Sequence, residues 1–189
     1  ILIDFGIVCA TAATTTIYPS NTVQECSYIL NHSESGYCFA ENDQQVNKLL
    51  EDRQNLPHLR KVIVIDGHPS QDGWIITLTE LEERGQAWDR ANVGKYQQWA
   101  QALEPNDVAT LIYTSGTSGQ PKGVTLTHDS WVFTAEGMDA LNILHPSDKQ
   151  YLFLPLSHVL AMVLAKAAVR IGIPTAVDGD MDRLLENLA

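Results

Sequence analysis

Between Tyr113 and Gly123 the chain reads YTSGTSGQPKG. This stretch holds three glycines (116, 119 and 123), hydroxyls at Thr114, Ser115, Thr117 and Ser118, and one cation, Lys122. Glycine lets backbone N–H groups approach a ligand with no Cβ in the way. Hydroxyls donate hydrogen bonds, and lysine is a point charge suited to phosphate. Together they make an anion cradle, built to hold phosphoryl oxygens. The order of residues excludes a Walker A loop, which needs G-x-x-x-x-G-K-[ST] opening a helix. Here Pro121 precedes Lys122, Gly123 follows it, and the strand-like VTLTH comes next. The phosphate is therefore expected in a loop between two strands, stiffened by Pro121. A plain Gly/Ser/Thr surface loop is the bland alternative, and the strand signals on both sides weigh against it.

Other candidates are weaker. His32, His58, His68 and His145 lack partners at metal-ligand spacing and read as surface residues. Cys9, Cys26 and Cys38 are odd in number and form no CxxC pair, which opposes a disulfide framework or a zinc site. They read as small buried apolar residues in a reducing, cytosolic setting. Asp178, Asp180 and Asp182 lack the glycine and terminal glutamate of an EF-hand and read as a solvated loop entering a helix. Trp74, Trp88, Trp99 and Trp131 form no stacking stripe.

The elements that must position the loop follow from periodicity. Residues 2–13 are apolar enough for a helix, and TTTIYP is a short strand stopped by Pro19. Ser20 or Asn21 caps a helix to about residue 31. GYCFAE is a second strand, and a polar helix runs from residue 44 to about 53. KVIVID is a third strand, its β-branched run implying burial on both faces. Residues 70–105 hold a helix start near Thr79 and an exposed helix stopped by Pro105. DVATLIYT and GVTLTH flank the glycine-rich loop. Thr127 or Asp129 caps the helix from Ser130 to Leu144. QYLFLPL is a sixth strand. Ser157 caps the helix beginning at His158, which ends at Gly172. IPTAVD is a seventh strand, and a last helix begins near Asp182. This alternation predicts an α/β fold with a mostly parallel sheet.

The 189 residues suit one ordinary domain, and the irregular stretch 66–90 does not divide it. Net charge is -11, which opposes nucleic-acid binding but not a nucleotide held by local donors. No apolar run approaches the roughly 20 residues that cross a bilayer. The run from Val159 to Val169 contains Lys166; it could line an acyl tunnel but reads rather as a core helix. No basic leader with a cleavage site is present. The first residues, ILIDFGIVCATAA, and the last, DMDRLLENLA, read as cut from a longer protein.

The stretch LIYTSGTSGQPKGVTLTH resembles the signature phosphate loop of the adenylate-forming superfamily, which includes acyl-CoA synthetases, luciferases and peptide-synthetase adenylation domains. Ser118 stands where the family more often has threonine; the hydroxyl is kept. CATAATTTIYPSNTVQECSYILNHSESGYCFAEN is similar to an early βαβ unit of these enzymes. YLFLPLSHVLAMVLAKAAVRIG is similar to their F-x-P-L-x-H segment, and its wording is most like bacterial long-chain fatty acyl-CoA synthetases. The resemblance covers most of the chain. It implies part of the large N-terminal domain of an acetyl-CoA-synthetase-like fold. It also implies a two-step reaction: a carboxylate attacks the α-phosphate of ATP, then coenzyme A displaces AMP. Thr114, Ser115, Gly116, Thr117, Ser118 and Gly119 would wrap the phosphates, with Thr117 against Mg²⁺. Lys122 would contact pyrophosphate or steady the loop. His158, on the motif histidine, would lie beside the acyl or phosphate end of the cleft, whereas His128 reads as structural.

Later family motifs are missing: the aromatic-Gly-x-Thr-Glu segment, the T-G-D segment and the C-terminal domain with its lysine. The resemblance therefore implies an enzyme as parent, using a fatty acid, ATP and coenzyme A, cytoplasmic or peripheral at a membrane. The piece alone is expected to be inactive and, with unpaired sheet edges, to self-associate. An amino-acid- or aryl-activating adenylation domain stays open, as does a non-catalytic phosphate-binding module.

Overall fold

A computed structural model describes residues 1–114, 120–179 and 183. In chain order the elements are α1 (Leu2–Cys9), β1 (Thr14–Thr16), α2 (Val23–His32), β2 (Tyr37–Asn42), α3 (Asp43–Glu51), β3 (Lys61–Asp66), β4 (Ile75–Thr77), α4 (Leu78–Ala91) and α5 (Lys95–Gln101). They continue with β5 (Val108–Thr114), β6 (Lys122–Thr127), α6 (His128–Ala140), β7 (Gln150–Leu152), α7 (Val159–Ile171) and β8 (Thr175–Val177). Strands and helices alternate as expected, and the strands fall into three sheets: β1-β5-β6, β2-β3-β4 and β7-β8.

The chain divides into two compact units. The first comprises Ile1–Thr16, Leu103–Thr114 and Val124–Ala189; the second comprises Ile17–Ala102 and Ser115–Gly123. In the first unit β1 runs parallel to β5, with Thr14 opposite Thr110 and Thr16 opposite Ile112. A core of Val8, Ala109, Ile112, Trp131 and Met162 packs α1, α6 and α7 against this sheet. The parallel pair β7–β8 carries a smaller core of Leu152, Ala161 and Ala165. In the second unit β2, β3 and β4 are mutually parallel, Cys38 facing Val62 and Val62 facing Ile75. Its core gathers Leu30, Ala40, Val46, Leu49, Leu59, Val62, Val64 and Trp74.

Several boundaries differ from the sequence expectation. Helix α1 stops at Cys9, short of Ala13, and Thr11 then takes φ 62, a left-handed turn that ends the helix. Thr22, rather than Ser20 or Asn21, caps α2: Glu25 N donates to Thr22 Oγ1 and Thr22 N donates to Glu25 Oε2, a reciprocal capping box. Strand β7 ends at Leu152, well before Leu156; its parallel partner β8 ends at Val177, which faces Leu152. His158, not Ser157, caps α7, while Gly172 does end it, at φ 84. Strand β4 had no sequence signal. Trp88 and Trp99 pair at 5.0 Å between α4 and α5, two helices that bury no residue. The helix expected from Asp182 lies outside the described residues.

Candidate functional site

Strand β5 is a run of β-branched and aromatic residues with Ala109, Thr110, Ile112 and Tyr113 buried. It delivers the chain to Thr114, which is exposed. Ser115, Gly116, Thr117, Ser118 and Gly119 lie outside the described residues. The chain is described again from Gln120, and Lys122 opens β6 with its side chain exposed. Two strands therefore flank the glycine-rich stretch, as the sequence requires. Among the described residues the Lys122 ammonium has no hydrogen-bond or ion-pair partner.

Sequence reasoning missed one residue at this end of the loop. Tyr28, half-buried on α2, donates from its phenol to the Pro121 carbonyl at 3.1 Å, from 93 positions away. Its ring also stands 5.4 Å from that of His32. Pro121 fixes its own φ, and the phenol fixes where its carbonyl points. Lys122 follows directly. A phenol far away in sequence leaves no local pattern that could have announced it.

Beyond the loop, the first turn of α6 is secured by Thr127 Oγ1, which accepts from Ser130 N at 3.3 Å. His128 is the first residue of that helix, and its N–H donates to Asp107 O at 3.0 Å. His158 is exposed at the start of α7, where its Nδ1 accepts from Leu160 N at 3.2 Å. That bond fixes the tautomer: in the neutral ring the proton sits on Nε2, leaving a donor turned away from the helix. Ser157 is buried, and its Oγ has no hydrogen-bond partner among the described residues. Lys122 belongs to the second unit and His158 to the first.

The cysteines are free thiols, and burial pushes Cys38 up to about 12. Cys26 is also raised, again by burial. Burial thus disfavours the thiolate form of both. His68 Nδ1 lies 2.7 Å from Asp43 Oδ2, and His68 N donates to Asp43 Oδ1 at 3.0 Å. These hydrogen bonds raise His68 above, and lower Asp43 below, their ordinary values. Among the described residues no group of three or more His, Cys, Asp or Glu could hold a metal ion. Thr117, the residue expected against Mg²⁺, lies outside those residues. Asp180 and Asp182 also lie outside them, while Asp178 faces Arg183 at 3.5 Å.

A family model described as AMP-binding enzyme matches residues 1–187. The long-chain-fatty-acid–CoA ligase FadD15 of Mycobacterium bovis is 34% identical over 190 residues, covering 100% of this chain and 30% of the relative. The long-chain-fatty-acid–CoA ligase ACSBG2 of Xenopus laevis is 32% identical over 167 residues, covering 85% of this chain and 22% of the relative. Among solved structures, a Mycobacterium tuberculosis fatty acyl CoA synthetase is similar in fold, with a TM-score of 0.72 at 18% identity. That alignment covers 99% of this chain and 34% of the other. This chain thus spans about 30% of the length of the FadD15 relatives it matches. With the glycine-rich loop between two strands and a family match over nearly its whole length, the chain belongs to the AMP-binding enzyme family.

Proposed function

We propose that this chain is part of an AMP-forming ligase that activates a long-chain fatty acid as its acyl-adenylate and passes the acyl group to coenzyme A. The observation that carries the reading is likeness along the entire chain to long-chain-fatty-acid–CoA ligases, at 34% identity for the M. bovis relative. The chemistry of the loop supports it. As a carboxylate oxygen bonds to the α-phosphorus of ATP, the bond to the β-phosphate oxygen breaks and negative charge gathers on the departing pyrophosphate. An exposed ammonium at Lys122, following hydroxyl residues and glycines in the sequence, is suited to meet that charge. The thiol of coenzyme A then attacks the acyl carbon and AMP leaves. His158, with a donor on Nε2, is suited to an acceptor oxygen of the acyl or phosphate group. We place the protein in the cytoplasm or at a membrane surface; among the described residues no helix is long and apolar enough to cross a membrane.

The test is carboxylate-dependent ATP–pyrophosphate exchange in the complete protein, with fatty, aryl and amino acids offered. Exchange with long-chain acids is expected. Lys122→Ala is expected to lower kcat/KM for MgATP by about 10- to 100-fold, the worth of one charge-assisted hydrogen bond. Exchange only with aryl or amino acids would move the assignment to an adenylation domain of another specificity. No exchange with any acid would leave a phosphate-binding module.

A further inference from the structure

The first unit contains a charge pair that the proposed chemistry does not use. Lys166, midway along α7, donates from Nζ to Asp4 Oδ2 of α1 at 3.0 Å. Their side chains are only 12% and 21% exposed. Nζ also stands 5.1 Å from the Phe5 ring centre and 5.0 Å from that of Trp131. Asp4 Oδ1 accepts from Thr14 Oγ1 at 3.0 Å. Thr14 Oγ1 lies 3.4 Å from Thr110 Oγ1, its register partner across β1 and β5. Thr110 is fully buried and accepts from Trp131 Nε1 at 3.1 Å. The contacts close into a ring: Lys166, Asp4, Thr14, Thr110, Trp131 and back to Lys166. The ring ties together α7, α1, β1, β5 and α6.

A buried ion pair is a poor source of stability, because desolvation offsets the attraction and an apolar pair of equal volume often serves as well. What it enforces is one arrangement, since a slip would strand a charge without a partner. A cavity of about 50 Å³ beside the pair, lined in part by Phe5, Thr16, Leu156 and Met162, leaves room for such a slip. The ring grips β5, whose last residue is Thr114, and α6, which follows β6 directly. We propose that Lys166 and Asp4 are positioning residues: they fix the register of β5 against α6, and so hold the strands between which residues 115–121 are strung. Their role in the reaction rests on the phosphate-loop reading of that stretch.

The test uses the complete protein and the variants K166M, K166R, T14V and D4N/K166M. The double variant carries no charge at the pair, and T14V cuts the ring between Asp4 and β5 with little change of shape. Hydrogen exchange is followed on peptides spanning 108–114, and KM is measured for MgATP and for the acid. In D4N/K166M the melting temperature is expected to stay close to wild type. Its β5 amides should nonetheless exchange about tenfold faster or more. KM for MgATP should rise about fivefold, with KM for the acid unchanged. T14V should shift both readouts in the same direction, and K166R should restore them relative to K166M. Wild-type β5 protection and wild-type KM for MgATP in the neutral double variant would overturn the proposal. Should that variant fail to fold, wild-type values in T14V would overturn it equally. If the wild-type protein shows no acid-dependent exchange, the phosphate-loop reading falls, and β5 protection alone decides whether the ring sets the strand.

Discussion

Replacing Tyr28 by phenylalanine removes a single oxygen and tests whether α2 holds the end of the proposed phosphate loop. Phenylalanine keeps the ring and its contact with His32, 5.4 Å between centres. What is lost is the hydrogen bond to the Pro121 carbonyl at 3.1 Å. A neutral bond of this kind contributes about 0.5–1.5 kcal/mol. Tyr28 and Pro121 are both half-buried, so water can partly replace the phenol. The lower part of that range applies, roughly 0.5–1 kcal/mol, or about a two- to fivefold change in an equilibrium or rate. Because the bond ends one residue before Lys122, the loss should appear in kcat/KM for MgATP and not in KM for the carboxylate. The assay is pyrophosphate exchange in the complete protein, with urea unfolding run in parallel. A shifted urea midpoint with unchanged MgATP kinetics would refute the reasoning, because the phenol would then serve only the fold of the second unit.

Three further outcomes are expected. Thr22→Ala breaks the capping box of α2 and should cost about 1 kcal/mol, read as a lower urea midpoint at constant m; an unchanged midpoint would mean that Glu25 alone secures the helix start. The His68–Asp43 pair should show in a pH titration. His68 is raised, so its share of stability is complete below its unfolded pKa and lost as pH rises through the folded value. Asp43 is lowered, so its share is present above its unfolded pKa and lost as pH falls through the folded value. The pair therefore works between those two folded pKa values, and Asp43→Asn should return the His68 midpoint toward 6.5 by NMR; an unmoved midpoint would rule the pairing out in solution. Finally, the 189-residue polypeptide by itself should self-associate, because Phe133, Leu141, Ile143 and Val169 are each more than 60% exposed. A monomer by light scattering at high concentration would count against this.

What could be read from the sequence was local. Lys61–Asp66 forms the strand its β-branched run demands, although Ile65 is exposed where burial on both faces was expected. The two strands flanking the glycine-rich stretch were legible from their β-branched and apolar runs, while residues 115–119 between them lie outside the described residues. The Thr22 cap was missed in favour of Ser20 or Asn21, although Thr22 and Glu25 stand at capping-box spacing, a stronger signal than either. Strand β4 escaped because three residues after a Ser-Gln-Asp-Gly turn carry too little periodicity. Tyr28 with Pro121 and Asp4 with Lys166 escaped for a different reason. They are 93 and 162 residues apart, and only the folded chain brings them together.

The pairing of β1 with β5 has a consequence for synthesis. Thr14 waits for Thr110, 96 residues later, whereas β2, β3 and β4 find one another across much shorter gaps. At about 5–20 residues per second, β1 emerges roughly 5–20 seconds before its partner exists. During that interval it is a β-prone segment with nothing to bond to, the kind of segment that recruits neighbouring chains. Its residues are three threonines rather than valines or isoleucines. Threonine keeps the branched shape a strand needs while its hydroxyl stays content in water. The same hydroxyl at Thr14 later donates a hydrogen bond to Asp4. The hydroxyl that suits the waiting strand to water is thus of the same kind as the one that anchors it in the fold.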